Sequence, residues 1–130
     1  MNPRTHLERA IDLDPDYSEA YFELGLLNKH EGNEHDALSL FQKAVSLNKN
    51  FAEAECELAI SLMNSNDLEE SRNHFLNSLE INPNYADAYF HYGQLLTKLK
   101  DIEEAKNNFD KVTEINQNYA KAYFHKARLL

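Results

Sequence analysis

The feature that most constrains the fold is an internal repeat with a period of about 34 residues. An acidic or amide residue followed by an aromatic one recurs along the chain as Asp16-Tyr17, Asn50-Phe51, Asn84-Tyr85 and Asn118-Tyr119. Shortly after each pair come the related segments Ala20-Tyr21-Phe22, Ala54-Glu55-Cys56, Ala88-Tyr89-Phe90 and Ala122-Tyr123-Phe124. A fixed period of this length is the sequence signature of a solenoid, in which each unit packs on its neighbours.

Each unit is predicted to contain two amphipathic helices. Apolar residues recur at helical spacing opposite a polar face, as in Ala37, Phe41, Ala44 and Val45. Turn-forming residues separate the two helices, at Gly32-Asn33 in one unit and at 64–67 in the next. Pro15 and Pro83 lie where the second helix ends, because proline cannot continue a helix.

The chain is therefore predicted to be one all-α domain over residues 1–130. With only three Gly and three Pro, it favours long helices and short connections. The repeat divides the chain into the second helix of a partial unit at 1–17, full units at 18–51, 52–85 and 86–119, and the first helix of a partial unit at 120–130. This gives about eight helices in antiparallel pairs.

The residues resemble the tetratricopeptide repeat family, whose units run aromatic, Leu-Gly, aromatic, Ala, aromatic, Ala and Pro. The first full copy here reads Tyr21, Leu24-Gly25, Asn28, Gly32, Ala37, Phe41 and Ala44. Departures from the pattern include Glu55 in place of the first aromatic, Asn28 in place of the second, and Lys49 and Gln117 in place of the proline. The resemblance covers nearly the whole chain and implies a right-handed α-α superhelix with a concave and a convex surface.

The resemblance also implies that the first helix of each pair lines a concave groove. Helical spacing then places four columns of side chains on that face. Two columns start apolar: Phe22, Cys56, Phe90, Phe124, and Leu26, Ile60, Gln94, Arg128. Two start acidic: Glu19, Glu53, Asp87, Lys121, and Glu23, Glu57, His91, His125. We therefore expect an apolar strip between acidic edges that become basic toward the C-terminus. Two alternatives stay open: Phe22 and Phe90 could be mainly structural, supporting neighbouring helices, and the acidic edges could be only a solvated face.

Such a groove predicts a non-catalytic scaffold that binds a protein or peptide segment with apolar anchors and Lys or Arg. The net charge of -9 and the pI near 5.0 disfavour nucleic acid and anionic membrane as partners. Two alternatives remain open. The chain could be a regulatory or targeting segment of a larger enzyme, such as a glycosyltransferase or sensor kinase, or it could self-associate through uncapped terminal helices, since Leu129-Leu130 is the opposite of a polar cap.

Some members of the family bind the C-terminal carboxylates of heat-shock chaperones through a clamp of Lys, Asn and Arg. The matching groove positions in this sequence are Phe22, Leu26, Glu57, Asp87 and His91. These residues would repel a carboxylate or fail to bind it. The first three units are therefore not expected to form that clamp.

No cofactor, metal or catalytic residue is predicted. His91 and His125 are one unit apart, and equivalent positions on stacked helices are separated by about 8–10 Å, too far to share one ion. Cys56 lies between two acidic neighbours, Glu55 and Glu57, which disfavour a reactive thiolate. The sequence also contains no glycine-rich phosphate loop, His-Glu-x-x-His pair or Cys-x-x-Cys pair.

A reducing compartment, the cytoplasm, is the expected location. Cys56 is the single cysteine and cannot form an internal disulfide. No apolar run approaches the roughly 20 residues that span a bilayer, and residues 1–6 lack the apolar core of a secretory signal.

Overall fold

The computed structural model describes residues 2–130 and contains eight helices and no strand in that range. They are α1 (Pro3–Leu13), α2 (Ser18–His30), α3 (Glu34–Leu47), α4 (Ala52–Asn64), α5 (Leu68–Ile81), α6 (Ala86–Lys98), α7 (Ile102–Ile115) and α8 (Ala120–Ala127). Met1, the first residue of the predicted 1–17 segment, lies outside the described residues. The predicted all-α class is confirmed. Within residues 2–130, none of these helices is long and apolar enough to cross a membrane.

The helices stack as successive antiparallel pairs. The most extensive contacts join α2 to α3, α4 to α5 and α6 to α7. Smaller contacts join α1 to α2, α3 to α4, α5 to α6 and α7 to α8, and α4 also reaches α6. Each pair therefore packs only on its neighbours, which is the organisation of a solenoid. We call α2, α4, α6 and α8 the inner helices and α1, α3, α5 and α7 the outer helices.

The turn inside each pair depends on one residue in the left-handed region of backbone space. Gly32 has φ of 85°, and the equivalent residues Asn66 and Lys100 have φ of 64° and 66°. Glycine adopts this conformation without steric cost and asparagine tolerates it, whereas lysine carries the strain of its Cβ. The same turn thus forms from three different residues, because the helices on either side fix its geometry.

A phenylalanine packed on a small residue sets the helix separation in each pair. Phe41, Phe75 and Phe109 are completely or almost completely buried. A Cβ added at Gly25 would lie 2.6 Å from Cε1 of Phe41, and one added at Gly93 would lie 2.7 Å from Cε1 of Phe109. These two contacts leave no room for a methyl group. The close approach of the helices in the α2–α3 and α6–α7 pairs therefore requires glycine.

The connection between pairs explains why proline can be replaced. The side-chain oxygens of Asp14, Asn48, Asn82 and Asn116 each accept a hydrogen bond from the backbone N–H two residues later, at 3.0–3.2 Å. This side-chain turn ends the helix in every unit. Lys49 and Gln117 can therefore occupy the proline position without loss of the turn.

Candidate partner-binding groove

The inner helices form a continuous row, because side chains link α2 to α4 and α6 to α8, and α4 is in contact with α6. Nζ of Lys29 in α2 donates to Oε2 of Glu57 in α4 at 2.7 Å. The ring centroids of Phe90 in α6 and His125 in α8 are 5.2 Å apart. All four columns predicted from the sequence begin on α2 and follow this row of inner helices.

The first predicted column is mostly buried rather than open to a partner. Phe22, Cys56 and Phe90 are only 9%, 2% and 3% exposed, whereas Phe124 is 61% exposed. Phe22 and Phe90 are thus packed into the structure, in line with the alternative that they are mainly structural. The reason is that an aromatic ring from the next unit covers each of them.

The covering residues are the aromatic residues that follow Asp or Asn in the repeat. Phe51 packs on Phe22 with ring centroids 4.9 Å apart, and Tyr119 packs on Phe90 at 5.2 Å. Tyr85, the equivalent residue of the middle unit, is half-buried and packs against the core that contains Cys56. These aromatics were visible in the repeated sequence pattern. Their covering role could not be predicted, because it depends on how each unit folds back over the previous one.

The third predicted column lies entirely at the surface. Its members Glu19, Glu53, Asp87 and Lys121 are all exposed. Oδ1 of Asp87 accepts a hydrogen bond of 2.7 Å from the Tyr119 hydroxyl. Burial, with Asp87 as acceptor, raises the pKa of Tyr119 above its ordinary value. The column is therefore an acidic edge across α2, α4 and α6 that ends in a cation on α8.

The fourth predicted column changes character along the row. Glu23 is exposed, while Glu57, His91 and His125 are half-buried. Nδ1 of His91 lies 3.0 Å from Oε1 of Gln94. Burial lowers the pKa of His91 and of His125, and Arg128 and Lys121 lower that of His125 further. Both imidazoles are thus favoured in their neutral form.

The second predicted column leads from a packed surface to an open pocket. Leu26 and Gln94 are half-buried, Ile60 is 7% exposed and Arg128 is exposed. A pocket of about 500 Å³ opens between α6 and α8, and its lining residues are Gln94, Thr97, Lys98, His125, Arg128 and Leu129. Three of these residues were predicted groove residues. The other three were missed, because Thr97 and Lys98 lie in the last turn of α6 and Leu129 follows α8, all beyond the four columns.

Cys56 is enclosed rather than reactive. Burial raises the pKa of its thiol well above the ordinary value, and Glu57 and Asp87 raise it further. A thiol in this environment stays protonated. Among residues 2–130, no group of three or more His, Cys, Asp or Glu side chains is placed to hold a metal ion.

The largest departure from the repeat pattern creates a second depression. Tyr21, Tyr89 and Tyr123 each donate a hydrogen bond to the carbonyl six residues earlier. The equivalent Glu55 instead turns toward α5, where its Oε2 lies 2.6 Å from Nδ1 of His74. A depression of about 550 Å³ lies beside it, lined by Lys49, Asn50, Glu55, Asn77, Glu80 and Ile81. The depression occupies the place where the other units have a tyrosine ring.

The stacked helix pairs and their row of inner helices define a helical-repeat solenoid. The tetratricopeptide repeat model matches residues 6–39 and 74–107, which is more than half of the chain. This chain belongs to the tetratricopeptide repeat family. The predicted family is thereby confirmed.

Solved structures show the same fold. The crystal structure of MamA matches 97% of this chain and 74% of its own with a TM-score of 0.88 and 21% identity. The first tetratricopeptide domain of Spaghetti (RPAP3), bound to the HSP90 peptide SRMEEVD, matches 86% of this chain and 89% of its own with a TM-score of 0.83 and 18% identity. The Arabidopsis OM64 tetratricopeptide domain matches 86% and 93% of the two chains with a TM-score of 0.83 and 20% identity. No curated protein matches this sequence. At these identities the likeness concerns the fold, and it confirms the predicted superhelix of antiparallel pairs.

Proposed function

We propose that this chain is a non-catalytic protein-interaction module that binds an extended or helical segment of a partner along the inner helices. The observation that carries this proposal is the exposed acidic edge formed by Glu19, Glu53 and Asp87 on three successive inner helices. Their spacing follows the stacking of the units, so a single segment lying across the row would meet all three. Regularly spaced carboxylates attract a segment that carries Lys or Arg.

The two ends of the inner row favour a partner with a defined direction. The acidic edge covers α2, α4 and α6, whereas the pocket between α6 and α8 is lined by Lys98 and Arg128. A segment with cationic residues toward α2 and an acidic group toward α8 would match both regions. Leu26 is half-buried beside the acidic edge and offers an apolar contact there.

One structural neighbour shows that this fold accommodates a peptide. The Spaghetti domain is bound to SRMEEVD, which contains three acidic residues. In this chain the positions expected to hold such a carboxylate are Phe22, Leu26, Glu57, Asp87 and His91. Glu57 and Asp87 would repel acidic residues. The proposed partner therefore has the opposite charge over the first three inner helices.

Fluorescence anisotropy with labelled peptides that alternate Lys with Leu tests the proposal. Glu19→Lys combined with Glu53→Lys is expected to weaken binding by about tenfold, equivalent to about 1.4 kcal/mol. Glu69→Lys combined with Glu70→Lys is the matched control, because it makes the same charge change on outer helix α5. If the control weakens binding equally, attraction is unspecific, and if no cationic and apolar peptide binds, the groove proposal is rejected.

Self-association through the terminal helices is a second candidate function. Its support is the exposure of large apolar side chains at both ends, among them Leu13 at 70%, Phe124 at 61% and Leu130 at 85%. Large contiguous patches of exposed apolar surface mark contacts with other molecules. Light scattering after size exclusion, from micromolar to millimolar concentration, tests it, and a constant monomer mass would reject it.

A further inference from the structure

The depression beside Glu55 lies where the other units hold a tyrosine ring of their own. Tyr21, Tyr89 and Tyr123 donate their hydroxyl hydrogen to the carbonyl six residues earlier, at 2.8, 2.9 and 3.2 Å. Six residues before Glu55 is the carbonyl of Lys49. An ionised carboxylate has no hydrogen to donate, so Glu55 cannot make this contact. The central unit therefore keeps the acceptor but lacks the phenol that this acceptor receives in the other units.

The connection that presents the Lys49 carbonyl has the same backbone geometry as its counterparts. The residues that end the four outer helices are Asp14, Asn48, Asn82 and Asn116, with φ between -140° and -132° and ψ between 91° and 104°. The Asn48 side chain also accepts a hydrogen bond from the Asn50 N–H at 3.0 Å, as in the other connections. The Lys49 carbonyl is therefore presented in the same way as the three carbonyls that accept a tyrosine hydroxyl.

The first full unit shows which group the walls of this depression enclose. Asn77 and Ile81 line the depression, and their counterparts 34 residues earlier are Lys43 and Leu47. Nζ of Lys43 lies 6.0 Å from the ring centroid of Tyr21. Leu47 and Ile81 are both half-buried. In the same chain, the equivalent positions thus surround a phenol ring.

The ring position is open because Glu55 is directed elsewhere. Its Oε2 lies 2.6 Å from Nδ1 of His74, and its side chain is only 5% exposed. The depression of about 550 Å³ is within the range of about 300–1,000 Å³ that small-molecule sites occupy. It lies between the α3–α4 connection and α5, in the middle of the chain, and none of its lining residues belongs to the four predicted groove columns.

The charges of the lining favour an uncharged hydrogen-bond donor. Glu55 and Glu80 contribute two carboxylates and Lys49 one cation, while Asn50 and Asn77 contribute amides. A phenol supplies a donor for the Lys49 carbonyl without adding charge. A phosphate ester on the same ring would place about two negative charges beside the carboxylates. An unmodified tyrosine therefore matches the lining, and a phosphorylated one is disfavoured.

We propose that this depression is a second binding site, separate from the groove, that takes a tyrosine side chain of a partner protein. The ring lies against Asn77 and Ile81, and its hydroxyl donates to the Lys49 carbonyl. The partner thereby completes the central unit with the contact that the chain itself makes in the other units. An aromatic side chain in a fitted pocket is the kind of anchor that dominates the energy of a protein interface. The site thus adds a specific contact to the charge-guided binding proposed for the groove.

Nuclear magnetic resonance titration with N-acetyl-tyrosine amide tests the proposal. Saturable shifts are expected for the backbone amide signals of Asn50, Asn77 and Ile81, with a Kd of about 1 mM for a ligand of this size. N-acetyl-phenylalanine amide is expected to bind about fivefold more weakly, because it leaves the Lys49 carbonyl without a donor. N-acetyl-phosphotyrosine amide is expected to give no saturable shift, because the carboxylates of the lining repel it.

Glu55→Tyr is the matched blocking variant, since its own ring fills the depression. It is expected to abolish the shifts caused by the tyrosine probe while it keeps the helical circular dichroism of the wild type. Glu69→Tyr is the control, because it makes the same exchange at an exposed residue of α5 that does not line the depression. This control is expected to keep the wild-type Kd.

Three results would overturn the proposal. They are a wild type without saturable shifts, a Glu55→Tyr chain that binds the tyrosine probe as tightly as the wild type, and equal or tighter binding of the phenylalanine probe or of N-acetyl-arginine amide. The comparison of probes uses the wild type alone, so it decides the proposal even where Glu55→Tyr does not fold. The Lys and Leu peptides that test the groove contain no aromatic residue, so either binding experiment can fail without affecting the other.

Discussion

The central helix pair, α4 with α5, uses different contacts from the pairs that flank it, although the backbone repeats. The flanking pairs place Phe41 on Gly25 and Phe109 on Gly93 at distances that exclude a Cβ. The central pair has Ala59 at that position and joins its helices by two buried hydrogen bonds. Oγ of Ser71 donates to the Ala59 carbonyl at 2.7 Å, and Oγ of Ser78 donates to the Ala52 carbonyl at 2.8 Å. The same helical hairpin can therefore be stabilised in two ways, by close apolar contact or by hydrogen bonds between its helices.

The central pair also has a role that the flanking pairs lack, because α4 contributes to both apolar cores. Leu58 and Leu62 of α4 belong to the core with Phe41, whereas Cys56 and Met63 belong to the core with Phe75. Helix α4 is accordingly buried on most of its surface. In a solenoid, stability propagates through contacts between neighbours, so a defect in the central pair affects both sides.

The largest effect is expected from Phe75→Ala. Removal of a fully buried ring leaves a cavity and is expected to reduce the free energy of unfolding by about 3–5 kcal/mol. Leu76→Ala, in the same helix but 46% exposed, is the control and is expected to cost much less. Urea denaturation followed by circular dichroism measures both. A Phe75→Ala chain as stable as Leu76→Ala would show that the central pair does not hold the two cores together.

The next largest effect is expected from Gly93→Ala. Its Cβ would lie 2.7 Å from Cε1 of the buried Phe109, and overpacking of this kind costs about 1–3 kcal/mol. The loss is expected to exceed the roughly 1 kcal/mol that alanine normally contributes over glycine in a helix. The reverse change in the central pair, Ala59→Gly, is expected to cost about 1 kcal/mol through helix propensity. A stabilised Gly93→Ala chain would remove the distinction between the central and flanking pairs.

A smaller effect of opposite sign is expected from Glu55→Tyr. The tyrosine would occupy the depression beside Glu55 and reach the Lys49 carbonyl, as Tyr21 reaches that of Pro15 and Tyr89 that of Pro83. We expect a gain of about 1 kcal/mol, because a half-buried aromatic with a satisfied hydroxyl, as at Tyr21 and Tyr89, replaces a buried carboxylate whose pairing with His74 offsets little more than its desolvation.

Glu55→Gln is the control for charge alone, since it keeps the size of the side chain. Thermal denaturation of both variants distinguishes the contributions. If Glu55→Tyr is less stable than the parent chain, the Glu55 and His74 contact stabilises the central pair more than the repeated tyrosine contact would.

Much of this structure could be predicted from the repeat itself. The period, the helix pairs and the Phe positions follow from side-chain spacing, because a solenoid places equivalent residues in equivalent environments. The departures were harder to interpret. Asn28 fills an aromatic position and is buried, but its Oδ1 accepts a hydrogen bond of 2.6 Å from Arg4 in α1, 24 residues earlier. A partner so distant in sequence has no local signal.

The exposure of the groove was predicted less well than its composition. The columns were assigned from spacing within one helix, and spacing determines which face a side chain occupies. It does not reveal that Phe51 and Tyr119, one unit later, fold back over Phe22 and Phe90. The charged columns were less affected, since charged side chains stay in water unless they are paired.

The smallest expected effect concerns the three equivalent turns within the helix pairs. Lys100 has φ of 66° and lies at the position of Gly32, where φ is 85°. A side chain in this region costs about 1–2 kcal/mol, and glycine removes that cost but gains flexibility in the unfolded chain. Lys100→Gly is therefore expected to raise the free energy of unfolding by about 0.5 kcal/mol, the difference between the two effects.

The reverse change at the equivalent turn makes this prediction decisive. Gly32→Lys is expected to lower stability by a similar amount, although no heavy atom lies within 4 Å of an added Cβ, so the loss would come from backbone strain alone. Asn66, with φ of 64°, is the intermediate case, and Asn66→Gly is expected to change stability least. Equal effects at all three turns would mean that the residue does not determine the energy of the turn. A larger stability gain from Lys100→Gly than from Asn66→Gly would show that the flanking helices impose one geometry, which each residue adopts at a different cost.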